Sequence, residues 1–148
     1  MQHLYQIEIN VFNAILQVLF GEPEECAKEM RDCNISETVI KDWLNAIEER
    51  EEYLGEHYGK CYGKCYGMFS HNDEENFTML WLREVPVTIR NYASLVHEIE
   101  HYVFYLLRRI GMRHTDASDE AYAYLTAYVF EQIDNIIVTM REENEKQE

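Results

Sequence analysis

The residues best equipped for chemistry lie in Val96-His97-Glu98-Ile99-Glu100-His101-Tyr102, which contains a His-Glu-x-x-His pattern. On a helix, at about 100° per residue, His97 and His101 fall within roughly 40° of one another and about 6 Å apart along the axis. Two imidazoles one turn apart can converge on one tetrahedral cation. Glu98, on the far flank of the pair, can then reach an activated water without ligating the metal. With six His and many Glu, chance yields this pattern in roughly a few per cent of such chains. The bland alternative is a pair of polar residues on the solvated side of an amphipathic helix.

A catalytic zinc ordinarily takes three protein ligands and keeps one position for water. The downstream candidates are His114, Asp116, Asp119 and Glu120. Glu120 has the best physical case, because the helix it opens carries no charge from Ala121 to Phe130. A carboxylate entering an apolar core is costly unless a cation offsets it. Asp119 beside it suits the helix dipole, or holds a ligand His by its other ring nitrogen.

These side chains need a scaffold. Ile89, Tyr92, Val96, Ile99, Val103, Leu106 and Ile110 recur at steps of three and four, the period of a buried helical stripe. Thr88 can cap that helix and Gly111 can end it. Met112 to Ser118 reads as a turn, and Ser118 as the cap of a last helix, buried on most sides and ending in a frayed tail from Arg141. Upstream, Ile7 to Phe20 reads as a strand with Phe12, Ala14, Leu16, Val18 and Phe20 on one face; a helix from Val11 is its rival. Pro23 to Asp32 reads as a short helix. Ser36 can cap another to about Leu54, burying Val39, Ile40, Trp43, Leu44 and Ile47. After a glycine-dense stretch come two candidate strands, Lys64 to Ser70 and Asn76 to Arg83, joined by the turn His71-Asn72-Asp73-Glu74-Glu75. The second is buried on both faces over part of its length. The expected fold is α+β: a small antiparallel sheet or β-hairpin packed on helices, with the long motif helix and the C-terminal helix forming the metal site.

The 148 residues are expected to form one domain. A formal charge of −15 repels phosphate backbones, which argues against nucleic acid as a partner. Arg108, Arg109, Arg113 and His114 form one small basic cluster, explained as well by a helix end as by an anion site. No stretch reaches the apolar length of a membrane span, and no signal-peptide pattern opens the chain, so a cytoplasmic location is expected. Of the four Cys, Cys26 and Cys33 can share a helix side, while Cys61 and Cys65 sit in a Gly-Lys-Cys-Tyr doublet. No partner pair follows at a familiar zinc spacing, so reduced, packed thiols are expected.

His97-Glu98-x-x-His101 followed by Glu120 resembles the gluzincin class of zinc metallopeptidases. With Trp81-Leu82, Pro86, Leu95-Val96, Gly111 and Asp119-Glu120-Ala121-Tyr122-Ala123-Tyr124-Leu125, the chain resembles small phage and prophage proteins of that type, over roughly Gly63 to Phe130. The resemblance implies zinc on His97, His101 and Glu120, with Glu98 as general base. Two positions depart from related patterns. Tyr124 stands where gluzincins often carry an acid. Phe104 stands where metzincins carry glycine, which excludes that class. Hydrolysis of a peptide or protein substrate would also need a donor for the oxyanion, for which Tyr124 and His114 are candidates. The alternative is a non-catalytic zinc protein acting in phage assembly or host interaction. A di-iron bundle needs a second Glu-x-x-His, which the sequence lacks.

Overall fold

The computed structural model describes residues 4–59 and 63–147. Four strands, β1 (Leu4–Ile9), β2 (Ala14–Phe20), β3 (Gly67–Asn72) and β4 (Phe77–Leu82), form one sheet in the order β1-β2-β4-β3. Helices α1 (Pro23–Asp32) and α2 (Glu37–Tyr58) cover one face, and α3 (Ile89–Arg109) and α4 (Asp119–Glu145) the other.

The N-terminal stretch expected as one strand is a hairpin. A single turn of 3-10 helix (Asn10–Phe12) and Asn13 in the left-handed region (φ 48°) reverse the chain. Asn is among the few residues that adopt this conformation readily. The alternating face survives the break, with Leu16, Val18 and Phe20 buried together against α3 and α4. The sheet is mixed rather than antiparallel, because β2 and β4 pair in parallel, Gln17 opposite Met79 to Phe20 opposite Leu82. A parallel pair needs a long crossover, and α1, α2 and the glycine-dense segment supply it.

β4 is central and buried on both faces, as its sequence suggests. Met79 and Trp81 face α1 and α2, whereas Leu80 and Leu82 face α3 and α4. Trp81 meets Trp43 of α2 edge to face at 5.6 Å, and its indole N–H donates to the carbonyl of Gly21. Ser36 caps α2 through the Val39 N–H, and the helix runs four residues past the expected Leu54. Arg83, 7% exposed, closes the end of β4. It donates to Glu22, to Glu51 at 2.6 Å and to the Cys65 carbonyl at 2.8 Å, tying the sheet to both helices of that layer.

Thr88 and Asn91 form a reciprocal cap at the start of α3, and Gly111 takes φ 83° just past its end. The buried stripe is rotated from the expected one: Leu95, Glu98, Ile99, Tyr102, Val103, Leu106 and Leu107 face inward, while Ile89 is 90% exposed. The period was right and Ile99, Val103 and Leu106 are buried as expected, but the stripe is shifted toward Leu95, Tyr102 and Leu107. In α4, Tyr122, Leu125, Val129, Ile133 and Ile137 are buried, but Ala123, Tyr124, Ala127 and Tyr128 are exposed. An uncharged stretch is thus only half buried, since Ala and Tyr tolerate solvent. The segment expected to fray is helical to Glu145. Cys26 and Cys65 are buried free thiols and Cys33 is exposed, so Cys26 and Cys33 do not share an environment; Cys61 lies outside the described residues. No described helix is long and apolar enough to cross a membrane.

Candidate metal centre and the adjoining cleft

His97 and His101 project from the outer face of α3, with their Nε2 atoms 3.1 Å apart and their rings nearly perpendicular. A cation bound tetrahedrally to both at about 2.0–2.1 Å requires a separation of about 3.3 Å. The pair is therefore already spaced to share one ion, and the same spacing permits an N–H···N bond without it. Both rings are exposed, so a ligand reaches them freely.

Glu98 sits differently from its expected position on a flank. It is 8% exposed and belongs to the inward face of α3. Its Oε2 accepts the Phe69 N–H of β3 at 2.7 Å, and Oε1 lies 4.0 Å from His97 Nε2. Gly67 makes this approach possible: a Cβ there would stand 2.8 Å from Leu82 Cδ2 and 3.3 Å from Glu98 Cγ. Among the described residues β3 pairs only with β4, so its other side is a sheet edge. Phe69 turns its N–H to that side, and alternation of the ladder makes the outward groups those of Gly67, Phe69 and His71.

A cleft of about 960 Å³ runs between α2, this edge and α3, lined among others by Arg50, Phe69, His71, Glu98, His101, Tyr105 and Arg108. At one end a polar network closes its wall. Tyr105 donates to Asp73 at 2.5 Å, Arg109 donates to the Tyr105 hydroxyl at 2.6 Å, and His71 Nδ1 lies 3.1 Å from the same Asp73 oxygen. The Tyr105 hydrogen bond, with help from His71 and Arg109, holds the Asp73 carboxyl below its ordinary range. Burial, reinforced by Asp73, pushes the Tyr105 hydroxyl up.

The remaining expected site residues lie elsewhere. His114 Nε2 is 2.9 Å from Asp119 Oδ1, and its ring packs on Phe104 and Tyr122. Tyr124 is 73% exposed on α4, and neither it nor His114 lines the cleft of Glu98 and His101. Glu120 is exposed, so the burial argument that favoured it does not operate. The helix pair has a clear register: Thr126 bonds Glu100 at 3.1 Å, Tyr122 packs on Phe104, and Tyr92 bonds Asp134 at 3.0 Å. In that register Glu120 stands level with Leu106, roughly 8 Å along the axis past His101. Among the described residues no group of three or more His, Cys, Asp or Glu converges as a metal-ligand set.

Sequence reasoning missed Arg50, His71, Asp73 and Tyr105 as site residues. Tyr105 was within reach, since it lies one turn past His101 on the same side of the helix. Arg50 and His71 come from distant elements and leave no local signal. Searches for similarity find no matching family model, no matching curated protein and no matching solved structure.

Proposed function

We propose that this chain is a zinc-dependent hydrolase of peptide bonds, with His97 and His101 as ligands and Glu98 as general base. The observation that carries this reading is the 3.1 Å imidazole pair beside a carboxylate fixed to a strand edge. When bound, zinc polarises the scissile carbonyl and makes a water acidic near neutral pH. Glu98 takes the proton of the attacking water on Oε1, the oxygen not held by Phe69, and delivers it to the leaving amine. With the Phe69 N–H held by Glu98 and the Gly67 carbonyl by the Cys65 thiol, the Phe69 carbonyl and the outward groups of His71 hold the substrate as an added strand. The strand next to the motif helix in sequence, β4, cannot do this, since it is paired on both sides. Tyr124 and His114 lie outside this cleft, and the Tyr105 hydroxyl that lines it donates its proton to Asp73, so an oxyanion donor is not assigned among them.

Glu120 stays the proposed third ligand on the resemblance. To reach the His pair, α4 must advance along α3 by about one and a half turns, so this ligand is tested separately from the pair. The zinc-loaded protein should cleave members of a fluorogenic peptide library, and Glu98→Gln should abolish cleavage while keeping zinc. A library left intact by zinc-loaded wild type overturns the catalytic reading.

One observation favours a second reading, a zinc protein without catalysis. The Phe69 bond to Glu98 joins helix to sheet edge and has structural value alone. In that case Glu98→Gln changes no activity, because there is none.

A further inference from the structure

Arg50, Arg108 and Arg109 line the cleft that contains Glu98 and His101. Among the described cations, Arg31, Lys64, Arg83 and Arg109 are paired with carboxylates. The guanidinium groups of Arg50 and Arg108 have no hydrogen-bond or ion-pair partner among the described residues. Two unneutralised cations facing one cleft suit an anionic group brought by a ligand.

Position narrows the choice. Arg108 is seven residues past His101, which returns it to within roughly 20° of the same helix face and roughly 10 Å further along. β3 runs beside α3 in the same direction: Gly67 lies against Glu98, Phe69 against Tyr102, and Asp73 beyond the strand end against Tyr105 and Arg109. A chain laid on the β3 edge therefore passes Glu98 and His101 first and Arg108 last. Extended backbone advances about 3.3 Å per residue. Antiparallel addition, the more stable pairing, puts the residue at Arg108 on the N-terminal side of the bond at Glu98. Glu49, beside Arg50 on the opposite wall, keeps the cleft from being uniformly cationic. Selection is then positional and not a general attraction to anions.

We infer that the cleft selects extended peptides with an acidic residue about four positions N-terminal to the bond presented between Glu98 and His101, and that Arg108 is the specificity-determining cation. The inference rests on the cleft being the substrate groove of the proposed hydrolase. The test uses two peptide pools identical except for Glu or Gln at that position. Binding to zinc-loaded Glu98→Gln is read by fluorescence anisotropy, and cleavage by zinc-loaded wild type by mass spectrometry.

The Glu pool should be preferred about fivefold, the scale of one exposed ion pair, and less so in high salt. Arg108→Gln should remove the preference, and Arg113→Gln, outside the cleft, should keep it. Preferred binding that depends on Arg108, without any cleavage, supports the inference and sinks the hydrolase reading. Cleavage of both pools alike leaves the hydrolase reading standing and overturns the inference. Equal binding of both pools, or a preference that survives Arg108→Gln, also overturns it.

Discussion

The main-chain N–H of Phe69 donates to Oε2 of Glu98 across 2.7 Å, joining the carboxylate of the His-Glu-x-x-His motif to the edge of the sheet. One bond thereby sets the height of the strand over the helix and the orientation of the acid. It leaves Oε1 toward His97. This predicts a difference between two substitutions. Glu98→Gln keeps an oxygen acceptor for Phe69 and should change unfolding free energy little. Glu98→Ala strands a shielded N–H and should cost about 1–3 kcal/mol. Denaturant unfolding of the two variants checks this.

Catalysis gives Glu98 a second signature. On any peptide that the zinc-loaded protein cleaves, Glu98→Gln should lower kcat by about two orders of magnitude or more, with zinc content unchanged. A variant as active as wild type removes Glu98 from the chemistry.

The third ligand is tested by isothermal titration of zinc into metal-free protein. Glu120→Ala should weaken binding by more than the roughly ten- to hundredfold typical of outer-shell residues, and Asp119→Ala by less. Equal affinities for wild type and Glu120→Ala would assign the third position to another group.

Asp73 and Tyr105 make a prediction for pH. The Asp73 carboxyl is held below its ordinary value, so the folded state favours its charged form. The network's contribution to stability is complete above the unfolded carboxylate range, about pH 4, and is lost as pH falls through the lower folded value. Carboxyl NMR titration should show Asp73 protonating late on acidification, and Tyr105→Phe should shift it back upward.

The scaffold has its own weak point in Arg83, buried between Glu22, Glu51 and the Cys65 carbonyl. Arg83→Met should destabilise by about 3 kcal/mol, because the Cys65 carbonyl loses its donor and two acids lose their counter-charge. Thermal unfolding measures it.

Period and punctuation were legible in the sequence and phase in part, whereas long-range pairing was not. Pro23, Ser36, Thr88 and Gly111 mark helix ends through local chemistry, and the structure places helix boundaries at each. The stripe of α3 is shifted from the expected one because Val96 and Ile110 compete with Leu95, Tyr102 and Leu107 for the same period, and packing against the sheet decides among them. Parallel pairing of β2 with β4 depends on contacts some sixty residues apart, for which no local residue speaks. The His pair could be read because both donors share one helix. The cleft could not, because Arg50, His71 and Tyr105 converge from three elements.

The most direct test of the central claim is zinc binding by the His pair. Elemental analysis and titration should find about one zinc per folded chain, with the site lost in His97→Ala/His101→Ala. Both rings are exposed, so the metal-free double variant should unfold within about 0.5 kcal/mol of metal-free wild type. A folded wild type that takes up no zinc, or a double variant that binds it undiminished, contradicts the account.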